Sequence, residues 1–198
     1  MSLILIAVAA GVSVAAGLFA ARRRGKGEPT KTDATAGATA KPAAPAEPSP
    51  FDGLALALGD VISSDREERW LAGALVAREA GRVVLVLFVA PEGVSHGAVA
   101  VFPAPRRDIL WLAPAELVCP PEPPTTIEIG ATTLSRRSRI PVAIERVGQG
   151  TPSIGETALW ATYEGGADIA VVLCSQGKVF AWLGRHLGET DYERLGSG

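Results

Sequence analysis

Arg82–Ala90 reads RVVLVLFVA and Asp168–Cys174 reads DIAVVLC. Both are short runs dominated by Val, Leu, Ile and Phe and cut off by Gly, Pro or acidic residues, which is the composition of a β-strand. Gly97–Phe102, Ile109–Leu112, Pro141–Val147, Thr157–Tyr163 and Lys178–Leu183 repeat the pattern. The portion from Phe51 onward therefore reads as mainly all-β.

Ser64–Ala80 disputes that reading. Ser64 with Glu67 three residues on has the form of a capping box, Leu71, Ala74, Leu75 and Ala77 favour a helix, and Gly81 would stop it. An internal echo argues the other way. Placing Gly59 on Gly130 sets an offset of 71, and the same offset brings Val99–Phe102 (VAVF) onto Ala170–Leu173 (AVVL) and Trp111-Leu112 onto Trp182-Leu183. Under it Trp70–Val76 falls on Pro141–Val147, whose proline and alternation suit an edge strand. The expectation is two tandem small SH3-like β modules, residues 51–119 and 125–198, joined by a Pro-rich connector at 120–124. A module of about 60 residues buries little surface alone, so a core shared between the two is the natural variant. Gly59, Trp111, Gly130 and Trp182 mark the repeat, and the two tryptophans are expected to fill equivalent core sites.

Upstream lies a different kind of sequence. Leu3 to Ala21 holds no charged side chain and begins with Leu3, Ile4, Leu5 and Ile6; Arg22, Arg23 and Arg24 follow at once. As a helix the run is about 28 Å long, close to a bilayer's hydrocarbon core of about 30 Å. Residues 1–24 are expected to form a transmembrane anchor that touches lipid. The arginine flank keeps the rest of the chain cytoplasmic at the inner membrane, in a single-pass topology. The alternative, a cleaved secretory signal, carries its cations ahead of the apolar run, whereas here they follow it. Ala9, Ser13, Gly17 and Ala21 form a small-residue stripe that offers a route to a homo-oligomer. Residues 25–50 contain no aromatic or branched aliphatic side chain and read as a disordered linker reaching about 25–30 Å.

The charge pattern narrows the partners. Residues 51–198 carry 13 Lys and Arg against 18 Asp and Glu, a net of −5, which argues against nucleic acid and against an anionic-lipid face on the folded part. Chemistry is sparsely provided for. With two cysteines, Cys119 and Cys174, and two histidines, His96 and His186, no zinc-ligand spacing arises and no nucleophile motif surrounds either thiol. His186 reads as part of a tail after the last strand. Asp65, Glu67 and Glu68 crowd together, and Glu164 and Asp168 flank a Gly165-Gly166 hairpin signal; both read as solvated turns. No phosphate loop, dinucleotide fingerprint or serine elbow occurs, so no catalytic residue, cofactor or metal is expected.

The Leu58-Gly59-Asp60-Val61 opening, the Trp-Leu close and the duplicated β-rich module resemble an uncharacterised bacterial domain family. Its members accompany phage-shock-type membrane-remodelling proteins and spermidine-synthase-like proteins. Asp60 is replaced by Ala131 in the second copy. The resemblance brings no catalytic residues and implies an accessory role in envelope stress or membrane maintenance. The combined expectation is a membrane-tethered, non-catalytic module that binds an unknown protein through sheet edges and the seam between modules. Its rivals are a small-ligand sensor or enzyme subunit, and an exported β domain in which Cys119 and Cys174 could pair.

Overall fold

A computed structural model describes residues 49–90 and 97–197. The expected anchor (Leu3, Ile4, Leu5, Ile6, Gly17, Arg22, Arg23, Arg24), all but the end of the linker, and His96 lie outside the described residues. Among the described residues no helix is long and apolar enough to cross a membrane.

The described chain is all-β. Its strands are β1 (Asp60–Ser64), β2 (Glu67–Trp70), β3 (Gly73–Glu79), β4 (Arg82–Val89), β5 (Ala98–Val101), β6 (Ile109–Ala115), β7 (Thr126–Ile129), β8 (Thr132–Gly148), β9 (Thr157–Gly165), β10 (Asp168–Ser175), β11 (Lys178–Leu187) and β12 (Glu193–Ser197). Ser64–Ala80 contains no helix. Ser64 and Glu67, the pair that resembles a capping box, are cross-strand partners closing the β1–β2 hairpin over Asp65 and Arg66, both at positive φ. Helical propensity yields to burial on two faces: Leu75 and Ala77 of β3 point one way into the core, Ala74 and Val76 the other way under a cover.

Eight strands close a barrel in the order β3-β4-β5-β6-β11-β10-β9-β8, with β8 returning to β3. The two halves do not form separate SH3-like barrels. Each contributes four strands, and the outer edges of these four are closed by the other half, at the antiparallel β3–β8 and β6–β11 seams. One closed barrel removes four sheet edges and pools two cores that would each be too small. Leu85, Leu87, Ala100, Leu110 and Leu112 from the first half meet Val142, Trp160, Ile169, Val171 and Trp182 from the second inside it. The interior is a packed core, as the geometry of eight strands dictates.

The echo is real along three strands and then slips. Leu87 and Ala158, Val89 and Trp160, Ala98 and Ile169, and Phe102 and Leu173 all sit 71 positions apart and all point inward. At the seam Leu75 pairs with Arg146, again 71 residues on. In the last strand, however, Leu112 pairs with Gly184, 72 residues on. Because the side-chain period of a strand is two, this slip of one residue exchanges inside for outside. Trp182 faces the barrel interior and Trp111 faces out, so they do not occupy equivalent core sites. The connections differ accordingly: β10 and β11 are joined by Gln176 and Gly177, β5 and β6 by a loop of Phe102–Asp108.

Each outward wall carries its own cover. Phe51, Leu54, Leu56 and the small sheet β12-β1-β2 lie over the first half. Residues 115–129, including β7, lie over the second, with Ile127 and Ile129 on Ala170 and Val172. The Pro-rich segment is thus part of a cover as well as a connector; the Tyr163 hydroxyl donates to the Pro124 carbonyl at 2.8 Å. Burial holds that phenol's pKa up at about 12. Pro141 falls where β8 has left β7 and has not yet met β3, so its missing N–H removes no ladder bond on that side. His186 belongs to β11, opposite Leu110, and not to a tail. The β9–β10 turn is Gly166-Ala167, one residue later than the Gly165-Gly166 signal, because Gly165 still pairs with Asp168.

Candidate functional site

The residues that mark the repeat have structural tasks. Gly59 has φ +88° and its N–H donates to the Leu71 carbonyl at 2.9 Å, while Gly130 has φ +60° in the β7–β8 turn. Both therefore stand in the left-handed region ahead of a strand, where glycine carries no Cβ penalty. Asp60 is fully buried at the start of β1. It accepts from the Ala57 N–H at 2.8 Å and from Arg194 at 2.7 Å, tying β1 to β12. Ala131 sits in a turn with no corresponding strand to hold.

The feature that sequence reasoning missed is Arg69. It lies on β2 with its side chain only 4% exposed, its guanidinium 3.7 Å above the Trp111 ring. One terminal nitrogen donates to the carbonyls of Ala98 and Leu112, each at 2.8 Å, and these two residues are themselves cross-strand partners of β5 and β6. The Glu67 carboxylate stands 3.5 Å from the other terminal nitrogen. Burial pulls the Arg69 pKa down to about 10, with Glu67 acting against the shift, so the side chain stays cationic at neutral pH. Its Nε is buried without a partner among the described residues. A Cβ at Gly97 would approach the guanidinium carbon to 2.1 Å, so glycine is required there by close packing. Arg69 is a clamp fastening the small sheet to the barrel. The only sequence signal for it was an arginine between alternating charged residues and an aromatic.

That clamp holds a surface open to contact. In the order β12-β1-β2 both outer strands are edges among the described residues. Trp70 on β2, opposite Val61 of β1, is 49% exposed, and Leu195, at the bulge of β12 between the partners of Val61 and Ile62, is 52% exposed. The expected seam between modules offers no such surface, because continuous hydrogen-bonded ladders occupy both junctions.

Chemical groups are not brought together in a comparable way. Cys174 lines an open recess of about 540 Å³, beside Ser175, Arg78 and Pro141. Burial, and next the neighbouring Cys119, push its pKa up to about 12, the opposite of what activates a thiol. In the same recess Ser175 Oγ donates to the Thr157 carbonyl at 2.6 Å, and Arg78 reaches Glu145. Asp65 is bound by Arg185 and Glu164 by Arg137 at 2.8 Å. Among the described residues no group of three or more His, Cys, Asp or Glu side chains is placed to hold a metal ion. Comparison with protein-family models, curated proteins and solved structures finds no match.

Proposed function

We propose that this chain is a membrane-tethered, non-catalytic module that binds another protein, with the barrel as a rigid mount and the β12-β1-β2 sheet as the contact surface. The observation that supports the reading best is the conjunction of two open strand edges with an exposed large apolar side chain on each, Trp70 and Leu195. An edge supplies main-chain hydrogen bonds to an added strand, and side chains beside it supply selectivity. The tether is the apolar segment around Leu3–Ile6 and Gly17 with its Arg22–Arg24 flank, which would keep the folded part cytoplasmic at the inner membrane, within reach of partners there. A partner among proteins of envelope stress or membrane maintenance is what the resemblance to the bacterial membrane-stress domain family implies.

The test is site-specific photocrosslinking in the native membrane, with a photoreactive amino acid at position 70, 195 or 118. Val118 is a fully exposed residue just ahead of the connector and serves as the reference. A discrete protein adduct from positions 70 and 195, absent from 118, is the expected outcome. Equal adduct patterns at all three positions would remove the sheet from consideration as the contact surface.

A further inference from the structure

We infer that the barrel end formed by the β3–β4 turn and the β5–β6 loop docks on an anionic bilayer surface, giving the folded unit a second membrane contact besides its tether. The inference rests on the tethered reading above and specifies how the folded unit stands on the membrane.

The loop between β5 and β6 is short, apolar at its front and cationic behind. Ala104, Pro105, Arg106 and Arg107 are exposed, and Pro103 is half-buried. Behind it lies an open recess of about 380 Å³ lined by Val84, Phe102, Ile140 and Trp160, with Arg82 and Arg106 beside them and no carboxylate in the lining. Arg106 lies 4.2 Å over the Phe102 ring and is held by Asp108 at 2.6 Å, which keeps its charge beside the apolar floor. Arg82 and Arg107 are exposed and enter no ion pair among the described residues. Glu79, opposite Arg82 across the β3–β4 turn, Asp52, next to Gly53, and Glu145, paired with Arg78, are the other acids near this corner. What sets this corner apart from the folded part as a whole, which is acidic, is a pair of exposed arginines without ion-pair partners among the described residues beside a recess without carboxylates.

Position supplies the second argument. Gly53, Leu54 and Ala55 share a neighbouring recess of about 250 Å³ with Val101, Phe102 and Arg107. The first described segment therefore passes beside this loop, after Phe51 has stacked on Phe88, and the 48 residues before Ser49 include the segment expected to sit in the bilayer. A few arginines against an anionic leaflet make a weak contact by themselves, and it fades within a Debye length. A flexible tether compensates, because it holds the loop near the surface at an effective concentration on the order of millimolar.

The full chain, inserted in nanodiscs of zwitterionic lipid or of zwitterionic lipid mixed with phosphatidylglycerol, is compared by hydrogen exchange of residues 102–108. Residues 149–155, at the other end of the barrel, act as the internal reference. Exchange at 102–108 is expected to slow by about threefold or more in the anionic discs, and to recover in 1 M salt, with 149–155 unchanged. The Arg82→Gln/Arg107→Asn variant leaves Arg106 on Phe102, and asparagine tolerates the positive φ of 53° at 107; it is expected to lose the difference. Equal exchange in both lipids, or slowing that survives in the variant, overturns the docking. Co-elution of the chain with the discs reads the tether separately. A chain that inserts but shows equal exchange retains the tether and loses only the docking, whereas one that fails to co-elute loses both.

Discussion

Arg69→Ala is expected to lower the unfolding free energy by about 3–5 kcal/mol, the combined cost of two buried carbonyls losing a charged donor and of the cavity left behind. Three losses combine. The carbonyls of Ala98 and Leu112 lose a charged donor at 2.8 Å, the Trp111 face loses its cation, and the space between β2 and the barrel wall is left unfilled. Arg69→Lys keeps the charge, but its compact ammonium lacks the planar fork that spans two carbonyls while lying flat on a ring, so about half of the loss should remain. Tryptophan fluorescence during urea unfolding measures both variants. The accompanying signature is local, since the β12-β1-β2 sheet should exchange its amides faster than the barrel does. A loss under about 1 kcal/mol for Arg69→Ala would mean that the small sheet is held by its apolar contacts alone.

Most strands were legible because the apolar runs announce them. Arg82–Ala90, Gly97–Phe102, Thr157–Tyr163 and Asp168–Cys174 differ from the observed β4, β5, β9 and β10 by a residue or two at their ends. The strands that escaped notice have polar faces or are short. The first half of β8 (TTLSRRSR) alternates charge with small residues, and β12 (ERLGS) is a cover strand whose role depends on the pairing of exposed Arg194 with buried Asp60. Closure was only half legible. The offset of 71 correctly relates inward residues such as Leu87 and Ala158, yet nothing in either tryptophan's neighbourhood says that Trp111 and Trp182 lie one residue out of register. Face assignment depends on connection length, and a seven-residue loop can absorb a one-residue shift without a trace in composition. The clamp was hidden for another reason. Arg69 is one of several charged residues in DREERW, and only the tertiary fold distinguishes the one that turns inward.

Gly184→Ala should be nearly as damaging as Arg69→Ala, by a different route. Gly184 faces Leu112 at the β6–β11 seam, and a Cβ there would stand 1.9 Å from the Trp111 carbonyl oxygen and 2.9 Å from the Leu112 Cα. Both obstacles are backbone and cannot swing aside. Relief requires the two strands to part at the junction on which closure depends, and the expected destabilisation is about 3 kcal/mol or more, the upper end for overpacking. For a folded unit of this size that corresponds to a fall in Tm of roughly 6–12 °C. A glycine in an ordinary strand would instead gain a few tenths from alanine, so an unchanged or raised Tm would deny that the halves meet as closely as described.

The most direct test of closure is native-state hydrogen exchange across increasing denaturant, followed at Leu75 and Arg146 on one seam and at Leu112 and Gly184 on the other. If the two halves are one barrel, the protected amides at both seams should open with a single free energy, equal to that of Val86 in the first half and Val172 in the second. If either half opens at lower free energy while the other stays protected, the chain holds two independent modules and the single closed barrel is wrong.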